Sequence, residues 1–419
     1  MTSQVEPKAQ APLISITPLL KRLWPSPGEN NVTAEEIAAA IALIFTDQLS
    51  PVQTGALLTC LHFTGWDRRA DVIAKCAEVM RNAASLVDKD ILAEVVKRRG
   101  RPEGQYKGGL CDIVGTGGDS HHTFNISTTS SILGSSLLFL SKHGNKASTS
   151  KSGSADLLHA VQPKPPVLGA VTPSTIAQVY EKTNYAFLFA PVFHPGMRYV
   201  APIRKDLGWR TIFNLLGPLA NPIETSIEAR LLGVARRDIG PVFADALKMS
   251  GARKAMIVCG EEDLDEISCA GKTYCWRLVD RSTHSDPSPD DIDIETFTIS
   301  PSDFGLPAHR LEDVSPGKEP DENARILTRL LQNQLPTDDP ILHFVLMNTA
   351  ALFVVSGICE AESSDMGLGD DGKVITERGP GGGRWKEGVR RARWAVESGE
   401  AWRQWGQFVE ISNSLAVHS

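Results

Sequence analysis

Beyond Gly108 the sequence changes texture, from long helical runs to short apolar runs alternating with helical ones, and this change constrains the fold most. CDIV (111–114), ARLLGVA (229–235) and AMIVCG (255–260) are short apolar runs, interleaved with helix-patterned stretches such as FADALKM and ILTRLLQ. That alternation predicts a mostly parallel α/β sheet, because each parallel connection must carry the chain back over one face. SILGSSLLFL (131–140) reads as another helix. STIAQVYEKT reads as a helix capped and started by Thr172-Pro173. Upstream, IAAAIALIF, ALLTCLHF and ADVIAKCAEVM carry helical spacing, and Thr33-Ala34-Glu35-Glu36 is a capping box ahead of the first. Residues 16–95 therefore read as a small helical bundle whose Ala-rich faces could pack on a second subunit. The fold class is α/β with a smaller all-α domain. Residues 1–15 read as a disordered lead-in, and 281–293 and 360–386 as polar surface insertions. The triple glycine 381–383 lacks the Lys-Ser/Thr of a P-loop and reads as a flexible loop.

Charge and cysteine usage narrow the function classes. A formal net charge of −7 argues against a general nucleic-acid binder, which needs a basic surface to displace counterions. A small anionic ligand is still compatible, since a few cations and backbone N–H groups suffice to hold one. Seven cysteines without a C-x-x-C pair read as reduced thiols in the cytoplasm. No 18 apolar residues run together and no signal-length apolar segment opens the chain, so no membrane partner is expected.

Four motifs carry chemistry. GTGGD (Gly115, Thr116, Gly117, Gly118, Asp119) follows CDIV directly, and glycines at a strand end can turn backbone N–H groups inward as an anion nest. Asn125, Ser127 and Thr128 then open a helix, whose free N–H groups and dipole make a second anion site. Taken alone, this is weak evidence and reads simply as a tight strand-to-helix turn. KHGNKASTSKSGSADLL (142–158) gathers Lys142, Asn145, Ser148 and Ser154 in a loop of small residues that a polyanion could approach; alone, it is a solvated Ser/Lys loop. HPGMRYVAPIR (194–204) ends on Arg204 in an apolar setting, suited to gripping a carboxylate or to pairing with a protein carboxylate at a domain boundary. Gly217-Pro218-Leu219 offers backbone against which a flat ring could lie. Asp265-Glu266 after AMIVC could hold magnesium together with substrate phosphates, or be a solvated acidic turn. Together the four describe a magnesium-bound sugar pyrophosphate beside a small aromatic carboxylate.

In order and spacing, GTGGD, KHGN…SGSAD, HPGMR-x-VAP-x-R, RT-x-FN-x-LGPL-x-NP and L-D-E-I-S resemble the anthranilate phosphoribosyltransferase family over residues 16–410. The resemblance implies an α/β domain like those of nucleoside phosphorylases and class IV phosphoribosyltransferases. Its domains would be a small helical one (16–95 plus about 172–200) and a large phosphoribosyl-binding one (105–171 plus 201–412). It implies a homodimer, and transfer of a phosphoribosyl group from phosphoribosyl pyrophosphate (PRPP) to anthranilate, the second step of tryptophan biosynthesis from chorismate. Residues expected at PRPP are Gly115 through Asp119, Asn125, Ser127, Thr128, Lys142, Asn145, Ser148 and Ser154. Ser127, Asp265 and Glu266 are expected at magnesium, two ions in all, and Asn145, Pro191, His194, Met197, Arg204 and Gly217 at anthranilate. The family usually reads H-G-x-x-G-L-D-E where this chain has Cys259, Gly260 and Asp263, so a glycine beside the metal pair is replaced. Segment 360–386 resembles fungal members. No catalytic base is expected, since an aromatic amine is already neutral at pH 7. The rival readings are a pyrimidine nucleoside phosphorylase-like enzyme, and a non-catalytic nucleic-acid-binding relative.

Overall fold

A computed structural model describes residues 12–24, 31–147, 152–282, 288–315 and 319–417. The chain forms two compact units, one from residues 1–84 and 194–220, the other from 85–193 and 221–419.

The first unit is helical. Thr33 caps the helix Ala34–Phe45 by accepting the Glu36 N–H (3.3 Å) while Glu36 accepts the Thr33 N–H (3.0 Å). That helix packs against Ala70–Asn82 and buries Ile37, Ile41, Ile44 and Phe45. Ala34, Ala38 and Ala40 are buried within the unit, so the Ala-rich face is an internal contact and not the expected external one. The exposed apolar stripe instead runs along the helix Pro51–Thr64, with Val52 82% and Phe63 65% exposed. Trp209 stacks edge-on to Phe63 at 5.8 Å. Residues 12–15 are tied down, with the Ile14 N–H donated to the Gln48 carbonyl (2.8 Å); the rest of the expected disordered lead-in lies outside the described residues.

The second unit holds a seven-stranded sheet in the order β3-β2-β1-β4-β5-β6-β7. Its strands are β1 Leu110–Gly115, β2 Phe139–Gly144, β3 Tyr185–Phe189, β4 Ile227–Gly233, β5 Ala255–Gly260, β6 Thr273–Asp280 and β7 Ile292–Ile299. The first five pair in parallel and are buried along most of their length because both faces are covered. β6 and β7 pair antiparallel and alternate in burial, as an edge hairpin with one wet face does. The helix Pro340–Ser356 is buried on every side, capped by Asp339 and ended by the left-handed Gly357 (φ 87°).

Several boundaries differ from the sequence expectation. SILGSSLLFL is not one helix. The helix Ile126–Gly134 stops where Ser135 and Ser136 donate their hydroxyls to the Ile132 and Leu133 carbonyls, and Phe139-Leu140 enters β2. Thr172-Pro173 forms a turn, and its helix starts later, at Ile176. Residues 172–193 belong with the sheet, since Tyr185–Phe189 is a strand in it, whereas 201–220 belong to the helical unit. Ile292-Asp293 of the expected insertion already pair in β7. Segment 360–386 is tied to the sheet unit by Arg390–Asp370 (2.9 Å), Arg384–Glu362 (3.0 Å) and the Ile375 N–H on Glu387 (2.9 Å). Its glycines form a tight turn rather than a flexible loop: a Cβ on Gly381 would meet the Phe297 ring at 2.5 Å.

Candidate functional site

In an open parallel sheet, ligands bind outside the carboxyl ends of the strands, where the strand order reverses. Here the order reverses between β1 and β4. Gly115–Asp119 leaves β1 at that point, with the Thr116 N–H donated to the Gly233 carbonyl of β4 (2.9 Å) and the Ala235 N–H to Thr116 Oγ1 (3.2 Å). Gly117 and Gly118 take φ of 63° and 84°, which L side chains adopt only with strain. Gly115 and Gly233 answer a different need, because a Cβ on either would run into Asp265.

The carboxylate pair closes onto this turn. Asp265 is buried and its Oδ2 accepts the Gly117 N–H at 2.6 Å; Glu266 accepts the Ser127 N–H at the head of the helix Ile126–Gly134. Burial, reinforced by Asp265 and Asp119, holds the Glu266 carboxyl well above the usual carboxylate range. Glu266 Oε2 is buried without a hydrogen-bond partner among the described residues, and so is Thr128 Oγ1. An orphaned carboxylate oxygen beside two further carboxylates is a place for a cation. Among the described residues no group of three or more His, Cys, Asp and Glu could hold one unaided. A cation held here would need further ligands from water or a bound ligand, a demand that suits magnesium.

Beneath the turn lies a buried charged layer. Lys142 is on β2, not in a loop, and burial pulls its pKa down while Asp112, Glu266 and Asp265 oppose. Burial raises the Asp112 carboxyl, countered by Lys142 and Arg230. Asn221 bridges Asp112 (3.1 Å) and the Ser141 carbonyl (3.0 Å), and Arg230 pairs with Glu224 at 2.7 Å. The chain after β2 returns at Ser154, its base tied by Asp156 accepting the Ala147 (2.7 Å) and Gly153 (3.0 Å) N–H groups. Asn145 is exposed there, Ser148 lies outside the described residues, and Pro191 is exposed just past β3.

His121 was passed over in the sequence; its Nε2 lies 2.6 Å from the Glu262 carbonyl, linking the glycine turn to the carboxylate loop. Asp112, Arg230 and Asp156 were passed over too, because single acids and bases inside apolar strings or loops carry no spacing signal. Asp263, in place of the family's glycine, takes the left-handed conformation (φ 61°) that a glycine would favour and that Asp tolerates better than most residues.

In the helical unit, Arg204 sits half-buried on Ala201–Leu207, its Nη2 3.2 Å from Asn214 Oδ1 and its guanidinium 5.8 Å from the Phe213 ring. No carboxylate among the described residues pairs with it. Burial and Arg210 both lower its pKa, so an incoming anion would relieve the site. Gly217 has helical φ and ψ (−49°, −50°) and open space where a Cβ would stand. Packing leaves room for a side chain there, whereas the following Pro218 disfavours the helical region for any residue that carries a Cβ. Gly217→Val should melt somewhat lower than the parent and raise the anthranilate KM about 10- to 100-fold, by the steric cost of extra methyl groups in a pocket; thermal melts and steady-state kinetics check this. Met197 is half-buried in the turn Pro195–Tyr199.

His194, expected at anthranilate, is held by the backbone of the helical unit. Its ring is buried, with Nε2 2.9 Å from the Ala220 carbonyl and a further bond to the Met80 backbone. Burial drives its pKa to about 4 from 6.5, with both backbone bonds opposing. The unfolded chain thus binds a proton that the folded chain refuses. Stability present above pH 6.5 is lost as pH falls toward 4, at about 1.4 kcal/mol per pH unit and about 3 kcal/mol in all. Thermal melts should fall between pH 7 and 4.5, and by less in His194→Gln.

The helical bundle domain of a glycosyl transferase family matches residues 17–84, and the a/b domain of that family matches residues 107–402. An anthranilate phosphoribosyltransferase of Schizosaccharomyces pombe is 40% identical over 383 residues, covering 91% of this chain and 93% of the relative. One of Saccharomyces cerevisiae is 34% identical over 422 residues, covering 97% and 100%. The solved structure of the Saccharomyces cerevisiae enzyme in complex with PRPP and Mg is similar with a TM-score of 0.75 at 31% identity, covering 94% of this chain and 97% of that one. The same enzyme with 4-fluoroanthranilate gives a TM-score of 0.73 at 29% identity, covering 94% and 96%.

Proposed function

We infer the reaction from the family to which this chain belongs, the anthranilate phosphoribosyltransferases: it transfers the 5-phosphoribosyl group of PRPP to the amine of anthranilate, releasing pyrophosphate. The observation that carries the reading is the glycine turn at the strand-order reversal, facing buried Asp265 and half-buried Glu266, whose Oε2 is unsatisfied among the described residues.

The proposed assignments follow the residues. Backbone N–H groups of Gly115–Asp119 and the head of Ile126–Gly134, with Asn125, Ser127 and Thr128, take the phosphates; Lys142, Asn145, Ser148 and Ser154 join them. Asp265, Glu266 and Ser127 hold two magnesium ions with PRPP. Magnesium there would supply neutralisation of the charge that develops on the departing pyrophosphate. For anthranilate, Arg204 grips the carboxylate, and Gly217 and Met197 offer the ring a surface. The amine lone pair forms the bond to ribose C1 as the bond from C1 to the pyrophosphate oxygen breaks, and the amine then sheds a proton to solvent. Catalysis is by positioning and charge stabilisation. No histidine is assigned as a base: His194 is spent on backbone bonds, and an aromatic amine needs no deprotonation to attack.

The proposal includes a cytoplasmic homodimer. Among the described residues no helix is long and apolar enough to cross a membrane, and all seven cysteines are free. The exposed stripe of Val52, Phe63 and Trp209 on the helical unit supports pairing of two copies. Val52→Glu with Phe63→Glu should sediment as a monomer where the parent sediments as a dimer; an unchanged dimer would move the interface elsewhere.

Purified protein with PRPP and magnesium should quench anthranilate fluorescence, and EDTA or omission of PRPP should prevent it. Folded protein giving no quench would overturn the assigned reaction.

A further inference from the structure

Arg204 carries five N–H donors and no acceptor, and a side chain with that many rotatable bonds does not aim itself. We propose that Asn214 is the positioning residue that aims Arg204 at the anthranilate carboxylate, and that its neutrality keeps the guanidinium available to that ligand. The proposal rests on the reading of Arg204 as the carboxylate clamp.

Asn214 is the third residue of the short helix Ile212–Leu216, and its Oδ1 accepts the Thr211 N–H at 3.0 Å. The same oxygen lies 3.2 Å from Arg204 Nη2. Both neighbours are obligate donors, so the amide orientation is settled by chemistry: the oxygen, not the nitrogen, faces them. The helix start thus locks the amide, and the amide locks one edge of the guanidinium. The Phe213 ring lies 5.8 Å from the guanidinium carbon, and Arg210 bears a like charge nearby. Asn214 and Phe213 are neutral and Arg210 is positive, and no carboxylate among the described residues pairs with Arg204.

An aspartate in place of Asn214 separates the two roles this side chain could play. A carboxylate would accept the Thr211 N–H as well as the amide does, and negative charge suits the first turn of a helix. As a capping residue alone, it would be neutral or stabilising. Against Arg204 it would form a charge-assisted pair and consume the cation that the substrate needs.

The experiment compares Asn214→Asp, Asn214→Ala and Arg204→Ala with the parent, measuring KM for each substrate, kcat, the dissociation constant of anthranilate by its fluorescence, and melting temperature. Asn214→Asp should raise the anthranilate KM and dissociation constant about 10- to 100-fold, leave the PRPP KM and kcat within about threefold, and melt no lower than the parent. Asn214→Ala, which loses the aim without adding charge, should raise the anthranilate KM about 3- to 10-fold and melt lower. An anthranilate KM within twofold of the parent in Asn214→Asp, with Arg204→Ala strongly impaired for anthranilate, would overturn the positioning role and leave the clamp standing. If Arg204→Ala is itself unimpaired, the clamp reading fails first. If Asn214→Asp does not fold, an unchanged anthranilate KM in Asn214→Ala overturns the proposal instead.

Discussion

Replacing Asp265 and Glu266 together by alanine should lower magnesium-dependent turnover by about 10³-fold or more, because removal of one preorganised electrostatic group already costs 10²- to 10³-fold. The fold should survive. These carboxylates are costly to it: Glu266 is half-buried, its Oε2 is buried without a partner among the described residues, and its charge is opposed by Asp265 and Asp119. The single variant Glu266→Gln should therefore melt higher than the parent in magnesium-free buffer while losing activity. Gain of stability with loss of turnover is the signature of a group kept for its ligand. Near-parental kcat in the double variant would remove the pair from the metal site, and an unchanged or lowered melting temperature in Glu266→Gln would mean the carboxylate is satisfied by the protein itself.

Arg204→Ala should raise the anthranilate KM by about 10- to 150-fold, corresponding to the 1.5–3 kcal/mol of a hydrogen bond to a charged group. The PRPP KM should stay close to the parent value, since the PRPP phosphates are assigned to a separate set of residues. The asymmetry is the test. Burial and Arg210 both disfavour the Arg204 charge, and no described carboxylate compensates it. Its removal should cost the free protein little and the complex much. Equal loss for both substrates would point to a general structural role.

How much of this was legible in the sequence depends on what kind of signal each residue leaves. GTGGD after CDIV was legible because a turn that needs positive φ and close backbone approach admits only glycine, and Gly115, Gly117 and Gly118 meet those needs in different ways. The capping box at Thr33 was legible because both of its bonds are local. Lys142 was legible as a residue but not as a place. KHGN reads as a polar loop, yet its lysine lies on a strand among Asp112, Asp265 and Glu266, where burial lowers its pKa. His194 was the converse, a histidine in a motif of interest that is folded inward onto backbone carbonyls.

By itself the sequence determined the two textures, the parallel sheet, the glycine turn, the carboxylate pair and the arginine in an apolar setting, since each follows from local periodicity, conformational preference or spacing. Only the tertiary structure decided that Gly233 must be glycine to admit Asp265. It alone decided that Asp112, Arg230 and Glu224 form a charged layer under the site, that 201–220 returns to the helical unit, and that segment 360–386 is stapled down by ion pairs. These are contacts between residues far apart in sequence. Burial and charge at such contacts depend on what the rest of the chain brings alongside, and no local pattern encodes that.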